Sequence, residues 1–146
     1  MDAGHTIRVL AVTDHPEGSP GLCAAIRQRV THGPVQFRVL VINPAAHEAH
    51  LRHPERHDEA LHAELSLLGA LPALTAAAGA PVLGSVSVRH DPYLAVEEVL
   101  ASEPVDEVII DLTESGLTRS FHLDLPHRLK RLGRPITHVQ ATVPST

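Results

Sequence analysis

The sequence predicts a single α/β domain built on a doubly wound parallel sheet, and three observations lead there. Apolar runs without alternation recur along the chain, most clearly at Val108, Ile109 and Ile110 within VDEVIIDL. Such runs suit strands covered on both faces, the habit of parallel sheets flanked by helices. Between the runs lie stretches of helical spacing with caps and stops. Strands alternating with helices imply right-handed crossovers around one sheet. Finally, 146 residues with 43% hydrophobic content supply one sizeable core and leave no room for a second full domain, so residues 1–146 read as one unit.

The elements follow in order. Thr6 to Thr13, TIRVLAVT, reads as a first strand, and Asp14 to Gly21 as a polar turn feeding a helix. Ser19 suits the N-cap and Pro20 the first helical position. That helix turns Leu22, Ala25, Ile26 and Val30 inward and ends near Gly33. Val35 to Ile42 is a second strand, and a long polar connection runs from Asn43 through Arg52. A second helix starts near Pro54, carries Leu61, Leu65 and Leu68 at helical spacing, and is expected to end or kink at Pro72, because an interior proline removes a hydrogen bond and clashes with the preceding turn. Pro81 to Val88 is a third strand. Asp91 and Pro92 then open a helix with Val96, Val99 and Leu100 on one side, which stops before Pro104. Val105 to Leu112 is strand four and Pro135 to Ala141 strand five. Between them Asp124 suits the cap of a helix with Arg128, Lys130 and Arg131 near its C-terminal end, where the macrodipole favours cations, and Gly133 ends it. There is no internal repeat, low-complexity tract or linker.

Composition narrows the function classes. Twelve Lys and Arg against 17 Asp and Glu leave a formal charge of -5, which gives no net field to hold a phosphate backbone and argues against nucleic acid as a partner. The aromatic fraction of 2% argues the same way, since single-strand binders need rings on which bases stack. Tyr93, Phe37 and Phe121 are few and scattered. The lone Cys23 makes no internal disulfide, and MDAGHTIRVL shows no charged-then-apolar signal segment, so a cytoplasmic protein is expected. No apolar run approaches the roughly 20 residues that span a bilayer, so no membrane is expected as a partner. Histidine is the oddity: there are 12, as many as Lys and Arg together. Imidazoles titrating near about 6.5 would carry the net charge through zero on mild acidification, with poor solubility as the consequence.

The stretch Val105 to Val139, VDEVIIDLTESGLTRSFHLDLPHRLKRLGRPITHV, resembles the C-terminal third of the universal stress protein family, especially actinobacterial-type variants with a similar loop before a helix containing Asp124, Leu125 and Pro126. The resemblance is strong there and weak before Pro81. It implies an adenine nucleotide alpha hydrolase-like, Rossmann-like fold with strand order 3-2-1-4-5, which connectivity rules alone leave open. It also implies a stress-associated role and a homodimer, here through Ile136 to Val143. An apolar edge strand would otherwise invite uncontrolled pairing.

In ATP-binding members of that family a short glycine pattern after strand four wraps the phosphates, using backbone amides and a helix N-terminus. Matched onto this chain, the first glycine position is Asp111, the second Glu114 and the third Asp124, with Leu125 in place of the small hydroxyl residue that follows. Three carboxylates thus stand where three glycines would. Like unit charges roughly 4 Å apart repel by about 4 kcal/mol at an effective dielectric of about 20, so ATP binding in the family's usual mode is expected to be lost or much weakened. Gly116 alone remains in the loop. The candidate ligand positions are Asp14, Val41, Asp111, Ser115, Gly116, Thr118, Arg119 and Ser120, of which Ser115, Thr118, Arg119 and Ser120 could build an anion site different from the family's. Among them Arg119 offers a fork for a carboxylate or phosphate, or serves with Ser120 only to set the loop and helix entry. Asp14 sits where the family places an acidic residue at the end of strand one. If strands one and four are neighbours, Asp14 and Asp111 end about 5 Å apart, a pair that shares a proton or binds a hard cation such as magnesium. His15, and His90 with Asp91, follow strands one and three on the same rim; Asp91 reads as a cap and the histidines as solvated.

A second constellation, AAHEAHLRHPERHDEALH, holds His47, His50, His53, His57 and His62. Steps of three and four can align imidazoles for zinc, copper or nickel, but Pro54 interrupts the alignment, and the bland reading is a solvated histidine-rich connection. Cys23, beside Leu22 and Ile26, reads as a small hydrophobe rather than a nucleophile. No GxSxG elbow, Walker loop or GxGxxG fingerprint occurs, and no enzyme class is recognisable. The reading is a dimeric binding or regulatory module without a resident cofactor and with a protein partner the sequence does not name. Its rivals are a nucleotide-binding or phosphate-hydrolysing protein using Asp14, Asp111 and a metal, and metal buffering by the histidine-rich connection.

Overall fold

The computed structural model of the chain describes residues 6–16, 20–42, 56–87, 92–112, 130 and 133–139, and within them every side chain but those of 56–62 and 92. Five strands, β1 Ile7–Thr13, β2 Val35–Ile42, β3 Leu83–Ser87, β4 Glu107–Asp111 and β5 Ile136–His138, form one sheet in the order β3-β2-β1-β4-β5. Every pairing is parallel. Three helices stand among the described residues: α1 Pro20–Val30, α2 Arg56–Ala78 and α3 Pro92–Ser102. This is the expected fold class, strand order included.

The apolar runs become strands because both faces are covered. Val9, Ala11, Phe37, Val39, Val41 and Ile109 point to one side and pack with Leu22 and Ile26 of α1 and with Leu67 and Leu74 of α2. Leu10, Val12, Leu40, Ile42, Val108 and Ile110 point to the other and pack with Ala95 and Val96 of α3. The period-two alternation of strand side chains thus feeds two cores, each apolar, and a continuous apolar run results.

Two expectations for α2 are corrected. Pro72 does not end the helix, which continues to Ala78. Pro72 is itself exposed, and the buried Ala70, Leu74 and Ala77 on either side of it hold the helix against the sheet. Nor is the leucine stripe the inward one: Leu65 is 57% and Leu68 61% exposed, while Ala63, Leu67, Ala70, Leu74 and Ala77 are buried. The alanines permit close approach, and Leu67 comes so near Gly84 of β3 that an added Cβ there would meet Leu67 Cδ2 at 2.8 Å.

Strands three and four begin two residues later than their apolar runs, at Leu83 and Glu107. Ser19, Asp91, the connection 43–52, most of the helix capped by Asp124, and residues 140–141 of the expected strand five lie outside the described residues. Gly133 does stop the chain before β5, at φ 73 with its N–H 3.2 Å from the Lys130 carbonyl oxygen. Val139, just after β5, is fitted closely to α1, because a Cβ on Gly21 would lie 2.8 Å from Val139 Cγ1.

Ion pairs fasten the foot of the sheet, where the strands begin. Arg29 Nε donates to Glu107 Oε1 at 2.8 Å and its second nitrogen to Oε2 at 2.9 Å, tying α1 to β4 in a two-pronged contact. The Arg29 hydrogen bonds, aided by its charge and opposed by burial, hold the Glu107 carboxyl below its ordinary value of 4.5. The same hydrogen bonds hold Arg29 above its own ordinary value.

Candidate functional site

In the order β3-β2-β1-β4-β5 the chain reverses direction between β1 and β4, and the crevice beyond the carboxyl ends of such strands is where open α/β sheets bind ligands. Register sets what stands there. Thr13 is level with Val41 on one side and with Asp111 on the other, so the last turn of the sheet presents Val41, Thr13 and Asp111 in a row, with Asp14 and His15 immediately after.

These side chains contact one another. Thr13 Oγ1 donates to Asp111 Oδ2 at 3.0 Å, and the His15 amide donates to Thr13 Oγ1 at 3.1 Å. The His15 ring bridges the two acids: Nδ1 lies 2.7 Å from Asp14 Oδ1 and Nε2 lies 3.7 Å from Asp111 Oδ1. Both carboxylates are out of water, their side chains 1% and 6% exposed, while the ring is 32% exposed. Buried polar groups need partners, and here each acid is served by a neighbour from the same rim. A neutral imidazole can donate to one carboxylate only, whereas an imidazolium can donate to both.

Of the expected ligand positions, the structure brings Asp14 and Asp111 together through His15. Val41 is 2% exposed with its side chain in the core, which leaves its backbone at the rim. Ser115, Gly116, Thr118, Arg119 and Ser120 lie outside the described residues, as do Glu114, Asp124, His90, His47, His50 and His53; His57 lies on α2. The expectation of a solvated His15 is corrected, because two buried carboxylates draw the ring between them. Thr13 went unremarked in the sequence, although a hydroxyl ending an otherwise apolar strand was the available signal. Among the described residues no group of three or more His, Cys, Asp or Glu is arranged to hold a metal ion, and no helix is long and apolar enough to cross a membrane.

Chemically the rim is a carboxylate, an imidazole and a second carboxylate, with a threonine hydroxyl behind them. Asp111 sets a buried carboxyl group at the end of β4. Among the described residues the Thr13 hydroxyl and the His15 ring face it.

No family model matches the chain, and no curated protein matches it. Solved structures do. The universal stress protein from Archaeoglobus fulgidus, whose structure is in complex with dAMP, superposes with a TM-score of 0.58 at 16% identity, covering 93% of this chain and 98% of that one. The crystal structure of a hypothetical protein superposes at 0.56 with 14% identity, covering 95% of this chain and 98% of that one. Over nearly its whole length, then, this chain has the fold of a universal stress protein.

Proposed function

We infer that the chain is a cytoplasmic universal stress protein-like binding or regulatory module, working as a homodimer through its last strand and without taking ATP in the family's usual mode. The observation that carries this reading is the state of Asp111. It ends β4 at the switch point, is 4% exposed, and has one oxygen bonded to Thr13 and the other facing His15. A carboxylate so placed occupies the position from which a glycine amide would approach a phosphate, and removing it from its partners would leave a buried charge uncompensated. The test is a calorimetric ATP titration of the purified, untagged protein, with mass spectrometry of whatever nucleotide it carries. The expected result is an empty protein that ATP does not saturate at millimolar concentration. Near one adenine nucleotide per chain would overturn the reading.

A second reading draws on the neighbour that holds dAMP. A nucleoside monophosphate has no β- or γ-phosphate and so needs no clamp around them. On that reading AMP or dAMP saturates the protein where ATP does not, and Asp111→Gly, which removes the obstructing charge, strengthens ATP binding. The same calorimetry with all three nucleotides separates the two.

A further inference from the structure

At the other end of β1 the sheet has a cleft that the rim does not explain. It opens below the strand starts with a volume of about 770 Å³, and its walls include Thr6, Arg8, Gln36, Pro81, Pro104 and Asp106. Small-molecule sites generally fall between about 300 and 1,000 Å³. A smaller cavity of about 110 Å³ shares Arg8, Gln36 and Pro104 with it and adds Arg38 and Glu103.

The charges around these walls are balanced in number and incompletely paired. Asp106 Oδ2 accepts the backbone amide of Arg8 at 2.8 Å, yet among the described residues the Arg8 guanidinium and the Asp106 carboxylate form no ion pair with each other or with anything else. Arg38 lies beside Glu103, with Nε 3.3 Å from Oε2. The alignment is too poor for a hydrogen bond, and Nε–H is buried without a partner. A buried guanidinium donor left unsatisfied is costly and asks for an acceptor.

Helix ends add to the pattern. The cleft walls at Ala80 and Pro81 follow the C-terminus of α2, and those at Pro104 and Asp106 follow that of α3. Carbonyl ends carry partial negative charge, and a basic residue in the last turn commonly answers it. Helix α1 has Arg27 and Arg29 in its last turn, but α2 and α3 have none. One part of the cleft is therefore rich in donors, from Arg8 and Gln36, with Arg38 in the adjoining smaller cavity. Another, by Asp106 and the two helix ends, is rich in acceptors. A purely anionic or purely cationic guest would satisfy one part and be repelled by the other.

We propose that this cleft binds a small zwitterion bearing a free ammonium and a free carboxylate, an amino acid or a short peptide. The carboxylate sits on Arg8 with Arg38 behind it, a pairing that guanidinium geometry favours. The ammonium sits toward Asp106 and the carbonyl ends of α2 and α3. The prolines at positions 81 and 104 fix the walls by fixing their own φ. The site lies at the foot of β1, away from Thr13 and Asp111, and stands whether or not the rim takes a nucleotide.

Calorimetry on the full chain tests it, with a panel of free L-amino acids and dipeptides as probes. The expected result is saturation at one per chain with a Kd at or below about 1 mM. N-acetylating or esterifying the best probe removes one charge at a time and should weaken it by about tenfold or more. Arg8→Gln keeps the backbone amide, and Asp106→Asn keeps an acceptor for it. Each should weaken the same probe by about tenfold while leaving the melting temperature nearly unchanged. A best probe among the amino acids, or among the dipeptides, identifies the source. The proposal is overturned if nothing in the panel saturates by about 10 mM, if the charge-blocked probes bind equally well, or if neither variant weakens binding in protein that still melts cooperatively.

Discussion

At the scale of single residues, the pair most exposed to a simple test is Arg29 and Glu107. Two parallel hydrogen bonds of 2.8 and 2.9 Å join them, with side chains 21% and 29% exposed, so solvent screens the pair in part and its contribution is expected near the top of the range for surface ion pairs, about 1 kcal/mol. The folded-state value of the Glu107 carboxyl lies below its ordinary one. Its contribution is therefore complete above the unfolded value and is lost as pH falls through the folded value. Glu107→Gln should lower stability by about 1 kcal/mol at pH 7, and the gap from the parent should close on acidification below the ordinary 4.5. Urea melts of both proteins at several pH values measure this, and a gap that stays constant with pH would contradict it. Residues of the rim were legible to different degrees. Asp14 and Asp111 could be placed at one edge because each ends or follows an apolar run and the resemblance made strands one and four neighbours. That His15 lies across both acids depends on a side-chain rotation in three dimensions, which no spacing in the sequence encodes.

Among the elements, α2 separates what a sequence can show from what it cannot. Its existence follows from apolar spacing, but its inward face does not, because leucines at 61, 65 and 68 outweigh alanines at 63, 70 and 77 on any hydrophobicity count. Packing decides otherwise. Small side chains at 63, 70 and 77 bring the helix close to β2 and β3 with Leu67 and Leu74 packed among them, and Leu65 and Leu68 are left outside. Leu74, 1% exposed, against Leu68, 61% exposed, makes the contrast measurable: Leu74→Ala should cost about 2 to 4 kcal/mol as a buried truncation, and Leu68→Ala no more than about 0.5 kcal/mol. Equal losses in denaturant melts would mean that the outer face is covered. The strands, by contrast, were readable almost to the residue, since a sheet buried on both sides leaves an unbroken apolar run. The start of strand four slipped because Val105, 7% exposed, joins the core before the strand begins. The proline at 72 misled because its local cost is about 3 kcal/mol, which burial of Leu67, Ala70, Leu74 and Ala77 on both sides of it offsets.

For the whole molecule, the open question of assembly turns on β5. Its inner edge is bonded to β4: the Val139 amide donates to the Ile110 carbonyl at 2.8 Å, and the Val108 amide to the Pro135 carbonyl at 3.0 Å. Parallel ladders use alternate residues of a strand, so positions 135, 137 and 139 bond inward, and the N–H and C=O groups of Ile136 and His138 face the outer edge. An edge of that kind is a template for another strand, which natural proteins pair, cover or blunt. The proposed two-fold dimer would pair it with its own copy, each His138 amide reaching across. His138→Pro deletes that outward donor without touching the inward ladder, and proline is tolerated at a strand edge on its unpaired side. Multi-angle light scattering at tens of micromolar should report a dimer for the parent and a folded monomer for this variant, with an unchanged circular dichroism spectrum. A parent that is monomeric, or a variant that remains dimeric, places the interface elsewhere. The exposed outer face of α2 would then be the next surface to change.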